Sequence, residues 1–337
     1  MKLSIVDQVP VHNGKTQALA LNDAVALAQL ADTQGYHRYW IAEHHATPSY
    51  ASSCPEMVIG RIAAATDKIR VGSGGVMLSH YSPYRVAELF RTLEAFFPGR
   101  IDLGFGRAPG GSDLSSQALA FPWRPTGAEI FPDRVEQLIA FLDGAAEGIA
   151  GRELTTTPEG GSVPQVWALG SGSGSVEMAA HYGLGFVLAL FIGTEHRSAE
   201  IIRHYCAQFK GRSKSPLKAP AAMIANAVIC ADTAEEARHL AASHAYWKVL
   251  AFRHGIREGL LPPEICLDRV KQLPVSDQAY FEETRDSMIT GTPMQCREKL
   301  EQQAGYYDVE EALIVAVTWD FAKRCESYRL LAKIFKE

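Results

Sequence analysis

Eight short apolar segments alternate with helical patterns along the whole chain, and this alternation restricts the fold more than any other feature. It predicts strands near Leu3–Val6, Tyr39–Ala42, Ile69–Ser73, Ile101–Gly104, Gln165–Leu169, Phe186–Leu190, Met223–Cys230 and Ala312–Val317. Strands that alternate with helices favour right-handed crossovers and a parallel sheet. Eight such units close naturally into a barrel, so the sequence predicts one (β/α)8 TIM-barrel domain over residues 1–337.

An open, doubly wound sheet is the alternative fold. It is disfavoured because eight units follow one another and no early G-x-G-x-x-G turn is present. The helix ends support the barrel register, since Gly35 and Gly183 follow predicted helices and can adopt the left-handed conformation that ends a helix.

Two stretches interrupt the repeat. Ala108–Thr126 follows the fourth strand and is rich in Gly, Ser and Pro, and Arg253–Thr290 separates the seventh helix from the next short helix. Long insertions in a compact barrel are usually lids or binding loops, so we expect 253–290 to form a mobile lid. A disordered surface excursion is the alternative.

Charge, apolar stretches and cysteine content limit the partners and the cell compartment that we expect. The net charge is −5, and no run of Lys or Arg exceeds two, which disfavours nucleic acid or an anionic membrane as a partner. Asp7 interrupts the amino-terminal segment before a signal-peptide core could form, and no apolar stretch approaches a membrane span. The six cysteines include no C-x-x-C pair, so we expect a cytoplasmic enzyme without a zinc site or disulfide scaffold.

The segment after the fifth strand predicts a phosphate site. In such a barrel, the residues just beyond the strand C-termini build the active site. The candidate binding residues are Gly170, Ser171, Gly172, Ser173 and Ser175. Glycines allow close approach of a ligand, and the N–H groups and dipole of the following helix favour an anion. A flexible Gly/Ser linker is the alternative.

The fourth strand ends one strand away, at Arg107. A guanidinium matches the geometry of a phosphate with paired hydrogen bonds, so Arg107 is a second candidate for the same site. The alternative is a structural salt bridge to a carboxylate.

Titratable side chains follow the second and third strands. Glu43, His44 and His45 end the second strand, and alternation sends Glu43 and His45 one way and His44 the other. His80 and Tyr81 follow the third strand and should face the same cavity. Histidine titrates near neutral pH, so these groups are candidates for proton transfer, with a hydrogen-bonded scaffold histidine as the alternative. No H-E-x-x-H spacing indicates a metal.

The third strand ends in a run of glycines that includes Gly74 and Gly75. A flat ring could lie against a peptide that lacks side chains. Tight packing inside the barrel explains the same glycines equally well.

Taken together in order and spacing, several segments resemble the bacterial luciferase-like flavin monooxygenases. They are Trp40–His45, Val71–Leu78, Pro98–Gly104, Leu169–Ser171, Thr290–Pro293 and the final helix from Arg324 to Tyr328. The resemblance implies a (β/α)8 enzyme that uses O₂ to oxygenate a small organic substrate. It also implies that reduced FMN is a co-substrate, supplied by a separate NAD(P)H-dependent reductase.

The resemblance also assigns roles to residues. It implies that Arg107 and Ser171–Ser175 hold the flavin phosphate, that Gly74-Gly75 is a ring platform with an often cis peptide, and that His44 is catalytic. Many relatives carry a hydroxyl residue where this chain has Gly172. Light-emitting members carry a reactive cysteine where this chain has Gly106, which argues against light emission.

Two other functions remain open at this stage. One is an oxidoreductase of the same superfamily that uses the deazaflavin F420, and the other is a non-catalytic flavin-binding or storage protein. By analogy with related barrels, we expect a homodimer through the helices Cys54–Thr66 and Pro83–Phe97. Burial of these helices within the monomer is the alternative.

Overall fold

Nine strands and twelve α-helices lie in residues 1–125, 127–144 and 154–337, the parts of the chain that the computed structural model describes. The strands are β1 (Lys2–Asp7), β2 (Arg38–Ile41), β3 (Arg70–Met77), β4 (Ile101–Gly106), β5 (Gln165–Gly170), β6 (Gly185–Ala189), β7 (Ala222–Cys230), β8 (Ile289–Gly291) and β9 (Glu311–Val315). The helices are α1 (Gln17–Gln34), α2 (Pro55–Ala63), α3 (Pro83–Phe96), α4 (Asp113–Ala120), α5 (Phe131–Asp143), α6 (Ser173–His181), α7 (Glu200–Gln208), α8 (Ala234–Arg253), α9 (Pro263–Val270), α10 (Val275–Ser287), α11 (Pro293–Tyr307) and α12 (Phe321–Ile334).

Eight of the strands close into a parallel barrel, which confirms the predicted TIM-barrel fold. β1 to β7 pair in chain order, and β9 then pairs with both β7 and β1. The open-sheet alternative is therefore wrong, because no barrel strand is left with an unpaired edge. Gly35 and Gly183 have φ angles of 80° and 62°, the left-handed conformation expected after α1 and α6.

The N-terminal end of the barrel interior is filled by a buried ion-pair network. Arg38 donates to Asp102 and to Glu311, each at 2.8 Å, and Arg70 donates to the other oxygen of Asp102 at 2.6 Å. Burial alone would raise the pKa of Asp102, but Arg38 and Arg70 outweigh it and hold that pKa below its usual value. Trp40 also donates to Asp102, at 2.9 Å. This packed end leaves the C-terminal edge, here called the mouth, as the place for a functional site.

β7 continues beyond the barrel and starts a separate packing unit. Ala222–Ala227 pairs with barrel neighbours, whereas Val228–Cys230 pairs with β8. Because the strands are parallel, this continuation lies past the mouth. α8, α9 and α10 pack together on it around buried residues such as Val249 and Phe281. We call residues 228–291 the outer unit.

The two predicted insertions are less irregular than expected. Most of 253–290 forms α9 and α10, which pack against α8 because they carry their own apolar faces. That this segment acts as a mobile lid stays a prediction. The segment 254–261 reaches the mouth, where Leu260 N–H donates to Val11 O at 2.9 Å. The other insertion contains α4, which Ser112 caps, and its last residue, Thr126, lies outside the described residues.

The described ranges contain neither a disulfide nor a cluster of metal ligands. All six cysteines are free thiols. Among the residues with described positions, no group of three or more His, Cys, Asp or Glu side chains could hold a metal ion. None of the helices in these ranges is long and apolar enough to cross a membrane.

Candidate active site at the barrel mouth

Glu43 is the centre of a buried hydrogen-bond cluster just beyond β2. Its side chain is fully buried. One carboxylate oxygen accepts from the backbone N–H of Met77 at 2.9 Å, and the other accepts from the Tyr81 hydroxyl at 2.6 Å and lies 2.6 Å from His45 Nε2. Three partners from three segments therefore fix this carboxylate, which satisfies its buried oxygens.

Tyr81 and His80 join this cluster from the loop after β3, as the sequence predicted. Burial and the neighbouring Glu43 carboxylate raise the pKa of Tyr81, so its phenol stays protonated and donates. The same hydroxyl lies 3.2 Å from His45 Nε2. His80 Nε2 lies 2.8 Å from the carbonyl oxygen of Pro109, and its ring meets that of His45 edge-on at 6.2 Å. Glu43, His45, His80 and Tyr81 thus form one connected group.

His44 points away from this group, as strand alternation predicted. Its ring lies against Tyr50 with 4.5 Å between ring centroids. Burial, with smaller contributions from Arg257 and His45, lowers the pKa of His44 to about 4. Its burial therefore keeps the His44 ring neutral near pH 7. Its Nδ1 is buried and has no hydrogen-bond partner within the described parts of the chain.

The sequence did not reveal an aromatic wall beside His44. Trp247 on α8 meets Tyr50 edge-on at 5.0 Å and donates from Nε1 to the hydroxyl of Ser49 at 2.8 Å. The Tyr50 hydroxyl is buried and, like His44 Nδ1, unpaired among the described residues. Tyr50 could have been recognised from its place in the loop after β2, but Trp247 comes from a helix that sequence patterns placed outside the barrel.

The predicted phosphate site lies at the ends of β4 and β5. α6 begins at Ser173 with Gly172 as its N-cap, and a Cβ built at Gly172 would meet no atom within 4 Å. Arg107 is exposed and forms no hydrogen bond or ion pair within the described ranges, unlike the structural salt bridge considered above. Phe105 pairs with Ala168, and extending that register places Arg107 beside Gly170. An open helix N-terminus and an unpaired guanidinium therefore adjoin one another.

The loop serines differ in their contacts. Ser175 donates to the carbonyl of Gly172 at 2.7 Å, so its hydroxyl is already used within the loop. Ser171 and Ser173 make no side-chain hydrogen bond among the residues described, which leaves their hydroxyls open to a ligand.

Gly74 and Gly75 lie on β3, between β2 and β4 in the barrel. Their peptide bond is cis, as expected for this position. A Cβ at Gly75 would lie 2.9 Å from Gly104 O, and one at Gly74 would lie 3.1 Å from Trp40 Cβ. Close backbone packing thus explains the lack of side chains here, and the same strand leads to Met77, the N–H donor of Glu43.

Comparison with known proteins decides the family. The sequence model described as luciferase-like monooxygenase matches residues 1–308. The chain belongs to this family. An N-acetyl-S-alkylcysteine monooxygenase of Bacillus subtilis is 35% identical over 334 residues, which cover 98% of this chain and 97% of that protein. Family membership supports an oxygenase activity and confirms the resemblance inferred from the motifs.

Solved structures agree with this assignment. The crystal structure of apo-MsnO8 is 38% identical in sequence and has a TM-score of 0.87. The aligned part covers 99% of this chain and 98% of the MsnO8 chain. The oxygenating constituent of 3,6-diketocamphane monooxygenase from Pseudomonas putida, solved in complex with FMN, is 20% identical with a TM-score of 0.72. It covers 99% of this chain and 97% of its own, and at this identity it shows a shared fold.

Proposed function

We propose that the protein is a monooxygenase that takes reduced FMN from a separate NAD(P)H-dependent flavin reductase and uses O₂ to oxygenate a small organic substrate. One observation carries the proposal: an unpaired Arg107 beside the open N-terminus of α6, at the same barrel mouth as His44 and the buried Glu43 cluster. An anion site next to groups that hold and move protons suits a phosphate-bearing redox cofactor.

The residues present fit FMN. Arg107 and the α6 N-terminus would bind its phosphate, with the hydroxyls of Ser171 and Ser173 as further donors. The strand at Gly74-Gly75 would lie under its ring. When bound in the reduced form, FMN supplies the two electrons with which one oxygen atom enters the substrate and the other leaves as water.

His44 acts in this proposal as a neutral imidazole. Because its pKa is lowered to about 4, it enters the reaction uncharged and can hydrogen-bond or accept a proton through the unpaired Nδ1. Glu43, His45 and Tyr81 hold the loops after β2 and β3 together, with His80 at the edge of the cluster. Residues 254–261 and α8 border the mouth. We propose that 253–290 covers it and keeps water from the reaction.

The relative from Bacillus subtilis directs the choice of substrate. Its name describes action on N-acetyl-S-alkylcysteines, which are thioethers that carry a carboxylate. At 35% identity over nearly the whole of both chains, small carboxylated thioethers are the substrate class to test first. A homodimer through α2 and α3 and a cytoplasmic location remain predictions.

The test combines the protein with a flavin reductase, NADH, FMN and O₂. Candidate substrates are N-acetyl-S-methylcysteine, aldehydes and sulfonates, and the readout is product mass together with NADH consumed. We expect one product that is 16 mass units heavier than its substrate, or a cleavage product that requires the same oxygen insertion. Substrate-dependent hydride transfer from reduced F420 without O₂ would favour the F420 alternative. Flavin binding without any turnover would favour the storage alternative.

A further inference from the structure

A buried lysine on α8 has no opposite charge near it in the described part of the chain. Lys248 is 6% exposed, and its Nζ donates to the carbonyl oxygen of Phe191 at 2.7 Å. Burial lowers the pKa of Lys248 to about 8, and no carboxylate counteracts this effect. An ammonium removed from water without a counter-charge is costly to fold. Such a group therefore indicates a place where a ligand can supply the negative charge.

His244 lies one turn earlier on the same face of α8. It is 2% exposed, and its Nδ1 has no hydrogen-bond partner within the residues described. Burial and the neighbouring Lys248 push the pKa of His244 well below its usual value, so the ring is neutral. Residues four apart on a helix are neighbours, which places a second unsatisfied polar group beside the ammonium.

This pair adjoins the barrel mouth, since Lys248 bonds to the carbonyl of Phe191 and the His244 ring lies 6.3 Å from that of Trp247. Phe191 follows β6, and both it and Trp247 pack against the apolar cluster inside the barrel. Trp247 lies between His244 and Lys248 in sequence, and its ring contacts Tyr50, which lies against His44. The lysine therefore lies on the helix that carries the aromatic wall beside His44.

We propose that Lys248 and His244 form a buried subsite that binds the carboxylate of the substrate. The ammonium has two N–H donors beyond the one given to Phe191, and a neutral imidazole can add another. The apolar part of the substrate then packs against Trp247 and Tyr50, towards His44. This inference rests on the proposed function and adds the group that selects acidic substrates. The flavin phosphate is also an anion that an ammonium could bind, so the test separates it from the substrate carboxylate.

The test compares the wild-type protein with the K248M variant. Methionine keeps the apolar stem and removes the charge, and K299M removes an exposed lysine of α11 as a matched control. Calorimetry measures the binding of N-acetyl-S-methylcysteine and of its primary amide, in the presence of FMN. We expect K248M to bind the acid about ten- to a hundredfold more weakly and the amide unchanged. K299M should behave like the wild type.

Two further measurements do not depend on the identity of the substrate. Acetate, at an ionic strength held constant with chloride, should raise the melting temperature of the wild type and K299M more than that of K248M. Without acetate, K248M should melt no lower than the wild type, because it loses an uncompensated buried charge. A lower melting temperature together with unchanged acetate and acid binding would show a structural lysine and overturn the proposal.

The binding of FMN and of riboflavin to K248M shows which anion this subsite takes. If K248M weakens FMN but leaves riboflavin unchanged, the anion is the cofactor phosphate and the substrate assignment is wrong. If the thioether acid binds through Lys248 but no turnover follows, the subsite stands and the proposed monooxygenase activity fails. If turnover occurs and K248M retains wild-type preference for acid over amide, the activity stands and the subsite fails.

Discussion

Arg107→Ala should weaken FMN binding while leaving riboflavin binding unchanged, because only FMN carries a phosphate. Arg107 is exposed and unpaired among the described residues, so its removal breaks no contact there and should leave the fold intact. A hydrogen bond between charged groups contributes about 1.5–3 kcal/mol when it is partly shielded from water. That range corresponds to a loss of about ten- to a hundredfold in FMN affinity.

The assay is an anaerobic titration of the protein with reduced FMN and with reduced riboflavin, followed by flavin absorbance or fluorescence. Arg329→Ala is the control, because it removes the same charge from an exposed position on α12. The predicted loss should also shrink as salt concentration rises. Equal weakening of both flavins by Arg107→Ala would mean that this residue does not bind the phosphate.

Three further predictions concern residues near β2. His44→Ala should keep the fold and flavin binding but lower product formation by about a hundredfold or more. A normal product yield per flavin oxidised would mean that His45 or His80 is the proton-transfer group instead. The unfolded chain takes up a proton at residue 44 below about pH 6.5, whereas the folded protein, in which Arg257 and His45 face this ring, does so only near pH 4. The free energy of unfolding should therefore fall as pH decreases through this window. Measured by urea unfolding, His44→Gln should lose about 3 kcal/mol less of this free energy than the wild type; parallel pH profiles of the two proteins would disprove this burial effect. Glu43→Gln should lower the free energy of unfolding in urea by about 2–4 kcal/mol, because the amide places N–H groups against existing donors. A change within experimental error would mean that the cluster does not hold these loops.

Local patterns predicted the site residues that lie at strand ends. Strand alternation predicted that His44 lies opposite to Glu43 and His45, and its contacts do differ from theirs. The three residues nevertheless lie beyond the end of β2 at Ile41, so loop contacts hold this arrangement. The Gly/Ser loop at the start of α6 and the neighbouring Arg107 were also found from chain position, because parallel strands bring their C-terminal ends to one edge.

Sequence patterns failed to predict the helices α9 and α10. Residues 253–290 were interpreted as a lid or binding loop, although they contain α9 and α10. α9 is only eight residues long and begins at Pro263, directly after Pro262. Short helices of this kind are stable mainly through tertiary packing, here against α8, and their own sequence carries a weak periodic signal.

The sequence by itself determined the barrel, the order of its strands and the positions of the chemical groups at its mouth. These features follow from hydrophobic periodicity and chain connectivity, which are local properties. The tertiary structure alone decided the ionisation of His44 and the burial of Lys248. Both depend on desolvation, and desolvation is the combined effect of neighbours such as Tyr50, Phe191 and Trp247 that come from distant parts of the chain.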